Sequence, residues 1–169
     1  MSATAASAPL TGRVRPGPGQ VDVRGPRFGA AITSVLLIAA LVLGPWPGVI
    51  VLAIQTLAFA AGAVLGVSRP PYGLFFRSVV RPRIAPASEF EDAAAPRFAQ
   101  GVGLAFAIAG LAGVVFSLPV LFYVAVAFAL VAAGLNALFG FCLGCEMYLL
   151  VKRFFGSSRP STGNATQTG

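Results

Sequence analysis

Four apolar runs, Phe28 to Leu43, Val49 to Val67, Phe98 to Phe116 and Val120 to Leu150, are separated by charge, and Glu146 is the only charged residue inside any of them. A helix rises about 1.5 Å per residue and the hydrocarbon core of a bilayer is about 30 Å thick, so such runs read as transmembrane helices. The chain is 57% hydrophobic and only 10% charged, where a soluble domain carries about 25% charge. The expected fold is therefore all-α and integral to the membrane, with four transmembrane helices. Its 169 residues leave no room for an additional soluble catalytic domain, so any chemistry has to sit on the bundle itself.

Punctuation marks where the runs turn. Gly44-Pro45-Trp46-Pro47-Gly48 stops the first run in a tight hairpin, with Trp46 at headgroup depth. Ser117-Leu118-Pro119 separates the third run from the fourth, with Ser117 as the expected cap and Pro119 in the first turn. The fourth run is longer than one perpendicular crossing needs, so it must tilt, break or project. Residues 1–20 and 157–169 are rich in small and polar residues and read as disordered tails around a membrane domain spanning 21–156. The first 20 residues contain no apolar block of the kind a cleavable signal needs, which leaves the first helix to direct insertion.

Arginine and lysine set the expected orientation. Arg13, Arg15, Arg24 and Arg27 precede the first helix; Arg69, Arg77, Arg81, Arg83 and Arg97 lie between the second and third; Lys152, Arg153 and Arg159 follow the fourth. The other two connections carry no charge. Both termini and the central segment are thus expected on the cytoplasmic side of a plasma membrane. The net charge of +7 points to anionic membrane lipid as the partner of these residues and not to nucleic acid, because they flank apolar runs and are not interleaved with aromatics on a polar face.

Within the central segment, residues 72–81 put Phe75, Phe76, Val79 and Val80 beside Arg77 and Arg81, the composition of a short helix in the headgroup layer. The stretch that follows, with Pro82, Pro86, Glu89, Glu91 and Asp92, reads as an irregular acidic loop. The chain also repeats itself. Pro26-Arg27-Phe28 opens the first run and Pro96-Arg97-Phe98 the third, and the helices then align without gaps through Ile38/Ile108, Ala39/Ala109 and Leu41/Leu111. A duplicated helical hairpin explains this, its copies related by an axis along the membrane normal. The match extends to Gly66 opposite Gly140, with a four-residue insertion in the second copy. The small-residue pairs Gly62/Gly66 and Gly140/Gly144 are read as sites of close internal packing.

The candidate chemistry lies between Asn136 and Tyr148. Cys142 and Cys145 are the chain's two cysteines, and they fall at the cytoplasmic end of the fourth run. Spaced three apart on a helix they share a face, and Gly144 between them lets another backbone or a partner approach. Three readings stay open: a redox or sulfur-handling dithiol, a soft-metal site, or inert apolar packing. A metal site is poorly served, since the chain has no histidine and two thiolates with Glu146 do not complete a tetrahedron. Glu146 either emerges into water, pairs with an arginine of the central segment, or accepts a proton from a cysteine. Tyr72 and Tyr148 are expected as interfacial anchors.

Val21-Asp22-Val23-Arg24-Gly25-Pro26-Arg27-Phe28, Arg69-Pro70-Pro71-Tyr72-Gly73-Leu74-Phe75-Phe76-Arg77, Ala95-Pro96-Arg97-Phe98-Ala99-Gln100 and Phe139-Gly140-Phe141-Cys142-Leu143-Gly144-Cys145-Glu146 together resemble the bacterial family called domain of unknown function 4395. The resemblance implies four membrane helices with this cysteine pair, frequent occurrence in actinobacteria, and an association with thioredoxin-like and sulfurtransferase proteins of the cytoplasm. The functional expectation is a cytoplasm-facing dithiol in which Cys142 and Cys145 exchange electrons or sulfur and Glu146 handles a proton, with no cofactor and no resident metal. The competing expectation is a non-enzymatic scaffold or small-solute conduit, with Gln55 and Asn136 lining a path. Neither a dinucleotide-binding fingerprint nor a phosphate-binding loop of the P-loop kind is present.

Overall fold

In a computed structural model the described residues are 19–67, 71–84 and 89–155. The expected tails lie outside these except for Gly19 and Gln20, the second of which opens a strand and is not part of a disordered tail, and Arg13, Arg15, Arg69, Pro86 and Arg159 also lie outside. Four long helices form the body: α1 (Arg24–Leu43), α2 (Pro45–Leu65), α4 (Ala94–Val115) and α5 (Pro119–Phe139). Each is long and apolar enough to span a bilayer. Between the pairs come α3 (Pro71–Phe75), a π-helical turn (Phe76–Val80) and a 3-10 turn (Arg81–Arg83), and α6 (Leu143–Phe155) follows the last span.

Pro45 and Pro47 do not delay the second helix as the sequence reading had it. They occupy its first turn, where backbone N–H groups have no helical acceptor to lose, and α2 begins at Pro45 straight after Gly44. Gly44 is the whole turn: its φ of 76° is one that glycine adopts without strain. Gly48 then lies against the Ala40 carbonyl so closely that a Cβ would overlap it. At the other hairpin Ser117 is not the cap; it takes a left-handed conformation with φ 54°, and Leu118 precedes the helix with no side-chain cap.

The helices form a ring in which each touches its sequence partner and one helix of the other hairpin: α1 packs on α2 and α5, and α4 on α2 and α5. Leu37, Leu52, Phe59, Ala107, Phe122 and Val126 fill the centre. Small residues let the helices close up, Gly103 beneath the Phe59 ring and Gly110 beside Leu52. Many large apolar side chains, Val42, Leu57, Val64 and Val131 among them, point outward, as expected of helices whose solvent is hydrocarbon.

The acidic segment expected as a loop contains a strand. Phe90–Asp92 (β2) pairs antiparallel with Gln20–Asp22 (β1), with Val21 opposite Glu91. The hydrogen bonds that frame this ribbon occur in pairs, seventy residues apart in the numbering. Val23 N–H donates to the Glu89 carbonyl and Ala93 N–H to the Gly19 carbonyl. Asp22 accepts from the Arg24 amide at 3.0 Å and Asp92 from the Ala94 amide at 2.9 Å. Both hairpins thus begin identically, and an approximate two-fold axis passes through the ribbon. The extra residues of the second copy are also placed: α4 is 22 residues long against 20 for α1, and the turn after it is longer.

Candidate functional site

The long fourth run breaks, which settles among the alternatives that its length allowed. α5 ends at Gly140 in the left-handed conformation, φ 70°. The Gly140 amide donates to the Asn136 carbonyl and the Phe141 amide to the Leu135 carbonyl, which seals the helix end. After Phe141 and Cys142, α6 starts at Leu143. The cysteines therefore do not share a continuous helix as the spacing suggested: Cys142 sits just ahead of the first turn and Cys145 within it.

Cys142 and Cys145 are joined as a disulfide, with Cα atoms 5.1 Å apart. The Cys142 carbonyl accepts the Glu146 amide at 3.0 Å, and the Cys145 amide points at the Cys142 sulfur at 3.3 Å. Cys142 is half-buried while Cys145 is 8% exposed. The pair thus joins a partly exposed residue to a buried one. Gly144 explains how Cys145 becomes buried: a Cβ at this position would come within 2.6 Å of Ala99 Cα, so α6 seats directly on α4. Farther along α6, Tyr148 lies 5.9 Å from the Phe98 ring, and Lys152 reaches Asp92 at 3.9 Å and the face of Tyr148 at 5.9 Å. α6 therefore follows the first turns of α4 outward as far as the ribbon.

Glu146 occupies the first turn of α6 and is exposed. Among the described residues its side chain makes no hydrogen bond or ion pair, either with an arginine of the central segment or with a sulfur. No group of three or more His, Cys, Asp or Glu side chains with metal-binding geometry occurs among the described residues.

Sequence reasoning missed the polar centre. Gln55, midway along α2 and 1% exposed, donates from Nε2 to Thr33 Oγ1 of α1 at 3.1 Å. Its Oε1 accepts the Tyr72 hydroxyl at 3.1 Å. Burial raises the Tyr72 phenol above its ordinary value, which keeps the hydroxyl a donor. Tyr72, expected to anchor at the interface, instead reaches into the bundle. Gln55 was singled out in the sequence as a path-lining residue, but Thr33, twenty-two residues away, was not, and only the hairpin brings the two together. Asn136 supplies a backbone carbonyl to the α5 cap, and its side chain is half-buried.

Two arginines close the helix ends reciprocally. Arg97, from the start of α4, donates to the Ala63 and Val64 carbonyls at the end of α2, at 3.0 to 3.3 Å. Arg27, its repeat equivalent on α1, has its guanidinium against Gly140 at the end of α5. Cations at these points meet the negative ends of the two helices.

Fold and site together define a four-span membrane protein that carries a closed cysteine pair at the charged end of its bundle. The family model described as Domain of unknown function (DUF4395) matches residues 21–153, and the chain belongs to that family. Neither a curated protein nor a solved structure matches the chain.

Proposed function

We propose that the protein is a membrane-held thiol–disulfide exchanger, its Cys142–Cys145 pair passing electrons to and from a soluble dithiol protein of the cytoplasm. The observation that carries this reading is the unequal pair at the head of α6: Cys142 partly exposed, Cys145 buried, and the Cys145 amide directed at the Cys142 sulfur. An N–H donor and the first turn of a helix both favour negative charge on Cys142 once the bond opens. Reduced Cys142 attacks one sulfur of the partner's disulfide, forming a mixed disulfide and expelling the partner's other sulfur as thiolate. Cys145 gives up its proton, for which exposed Glu146 one residue on is the acceptor in this scheme, and attacks Cys142 Sγ. The internal bond closes, the partner leaves as a dithiol, and two electrons have moved to it. In the relay form of this reading the Cys142 thiolate attacks the outer sulfur of a partner's persulfide, which becomes the outer sulfur of a Cys142 persulfide as the partner's thiolate leaves.

Orientation belongs to the proposal. All the described basic residues lie in the first turn of α1 or α4, between α2 and α4, or in α6, which are one end of an antiparallel bundle, and the positive-inside rule puts that end in the cytoplasm.

A Cys145→Ser variant is the direct test. It should accumulate a mixed disulfide with a cytoplasmic protein through Cys142, visible on non-reducing gels and lost in the double Cys→Ser variant. Impermeant alkylating reagent applied to reduced, intact cells should leave both thiols untouched; labelling from outside would overturn the orientation. The competing reading, a scaffold or conduit, requires the double Cys→Ser variant to keep the cellular phenotype. The hydrogen bonds that hold Gln55 inside the core weigh against a path through that residue.

A further inference from the structure

The two-fold relation of the hairpins brings out a difference between their surroundings. In the second copy α6 lies flush on α4 through Gly144. In the first, the short helical segment after α2 meets α1 through Phe76, whose ring packs on Phe28 at 5.7 Å, and a recess of about 250 Å³ remains between this segment, the start of α1 and the ribbon. Val21, Val67, Phe76 and Phe90 supply apolar wall, and Arg77 and Arg81 line the same space.

The local backbone sets these arginines. The Arg81 amide donates to the Phe76 carbonyl, one residue beyond the α-helical acceptor, closing a single π turn. Phe76 is buried by that turn while Arg77 and Arg81 remain exposed. Single π turns recur where a helix has been adjusted for a site. Neither guanidinium has a hydrogen bond or ion pair among the described residues, unlike Arg83, which bonds to the Val79 carbonyl. Asp22 also lines the recess, but one of its carboxylate oxygens is engaged with the Arg24 amide. A second, small recess of about 20 Å³ shares Gly25, Pro26, Val67 and Gly73 with the first and reaches Thr33 and Tyr72.

We propose that the recess binds a phosphate group, with Arg77 and Arg81 as its recognising residues. Two planar guanidiniums on residues that line one recess are suited to the several oxygens of a phosphate. The adjoining apolar wall suits the glycerol and first acyl carbons of a phospholipid, while free phosphate would use the arginines alone. This site is independent of the dithiol.

The test is thermal unfolding of the full chain in a neutral maltoside detergent, titrated with short-chain phosphatidylglycerol, inorganic phosphate, or diacylglycerol of the same chain length. Saturable stabilisation by phosphatidylglycerol is expected, with affinity falling about tenfold or more in Arg77→Gln/Arg81→Gln. Inorganic phosphate acting as well as the lipid would identify free phosphate as sufficient; a response to the lipid alone would identify the headgroup with its tail. Equal responses to diacylglycerol and phosphatidylglycerol, no response at all, or equal affinity in wild type and variant would each overturn the site. Should the double variant misfold, Arg77→Lys/Arg81→Lys, which keeps charge but loses the fork, must still bind more weakly than wild type.

Discussion

Val21 faces Glu91 across the β1–β2 ribbon, and these two residues are also equivalent positions of the internal repeat. A strand paired in this way with its own duplicate places the pseudo-symmetry axis between them. The pairing gives each hairpin the same anchor: an aspartate, Asp22 or Asp92, that accepts a backbone amide at the start of a spanning helix.

That position predicts a pH effect. Burial raises the Glu91 carboxyl above its ordinary value of 4.5, so the folded state favours its protonated form. The stability this contributes is complete below the unfolded-state value and is lost as pH rises through the folded-state one. The apparent melting temperature in detergent should therefore fall as pH climbs from about 4.5 upward, and Glu91→Gln should flatten that part of the profile. Melting curves collected across pH for both proteins make the comparison.

Close contact between α6 and α4 depends on the absence of a side chain at Gly144. Gly144→Val should force α6 off Ala99 and cost about 1–3 kcal/mol. Faster tryptic cleavage at Lys152 and Arg153, with α1 to α5 unaffected, would register the loss.

The buried triad ranks two substitutions. Tyr72→Phe removes one hydrogen bond and should cost about 0.5–1.5 kcal/mol. Gln55→Leu leaves both Thr33 and Tyr72 without their partner and should cost more, about 1–3 kcal/mol. Unfolding in mixed detergent would reveal the order, and equal effects would mean that Gln55 does not bridge the two.

Unequal burial of the two cysteines predicts unequal reactivity. After reduction, Cys142 should be alkylated at least about tenfold faster than Cys145, as peptide mass spectrometry over time would resolve. If Glu146 takes the Cys145 proton, Glu146→Gln should shift the pH dependence of release of the trapped mixed disulfide while leaving the rate of its formation unchanged.

Much of the fold was legible in the sequence because lipid imposes a simple rule: apolar runs of spanning length become helices, and prolines and glycines mark their ends. The repeat was legible from Pro26-Arg27-Phe28 and Pro96-Arg97-Phe98, and the packing role of Gly144 from its size. Three features escaped. The ribbon is only three residues a side and carries no alternating pattern, so Phe90–Asp92 looked like any acidic loop. A break in the fourth run was one of the expected alternatives, but its position before α6 rests on a single residue, Gly140, in a chain with 20 glycines. The union of Thr33, Gln55 and Tyr72 is a tertiary fact that no local window contains. Of the candidate site, the proximity of Cys142 and Cys145 followed from spacing, but which cysteine is the more exposed depends on where the helix restarts.

Joining two like hairpins in one polypeptide removes a restriction that a symmetric pair of separate chains cannot escape, in which any substitution appears on both sides at once. Here the first half has committed its centre to a glutamine held by a threonine and a tyrosine, while the second keeps alanine and glycine at the matching depths and carries sulfur instead. Within one polypeptide the two halves are free to differ in this way, and the short ribbon is where their equivalent ends meet.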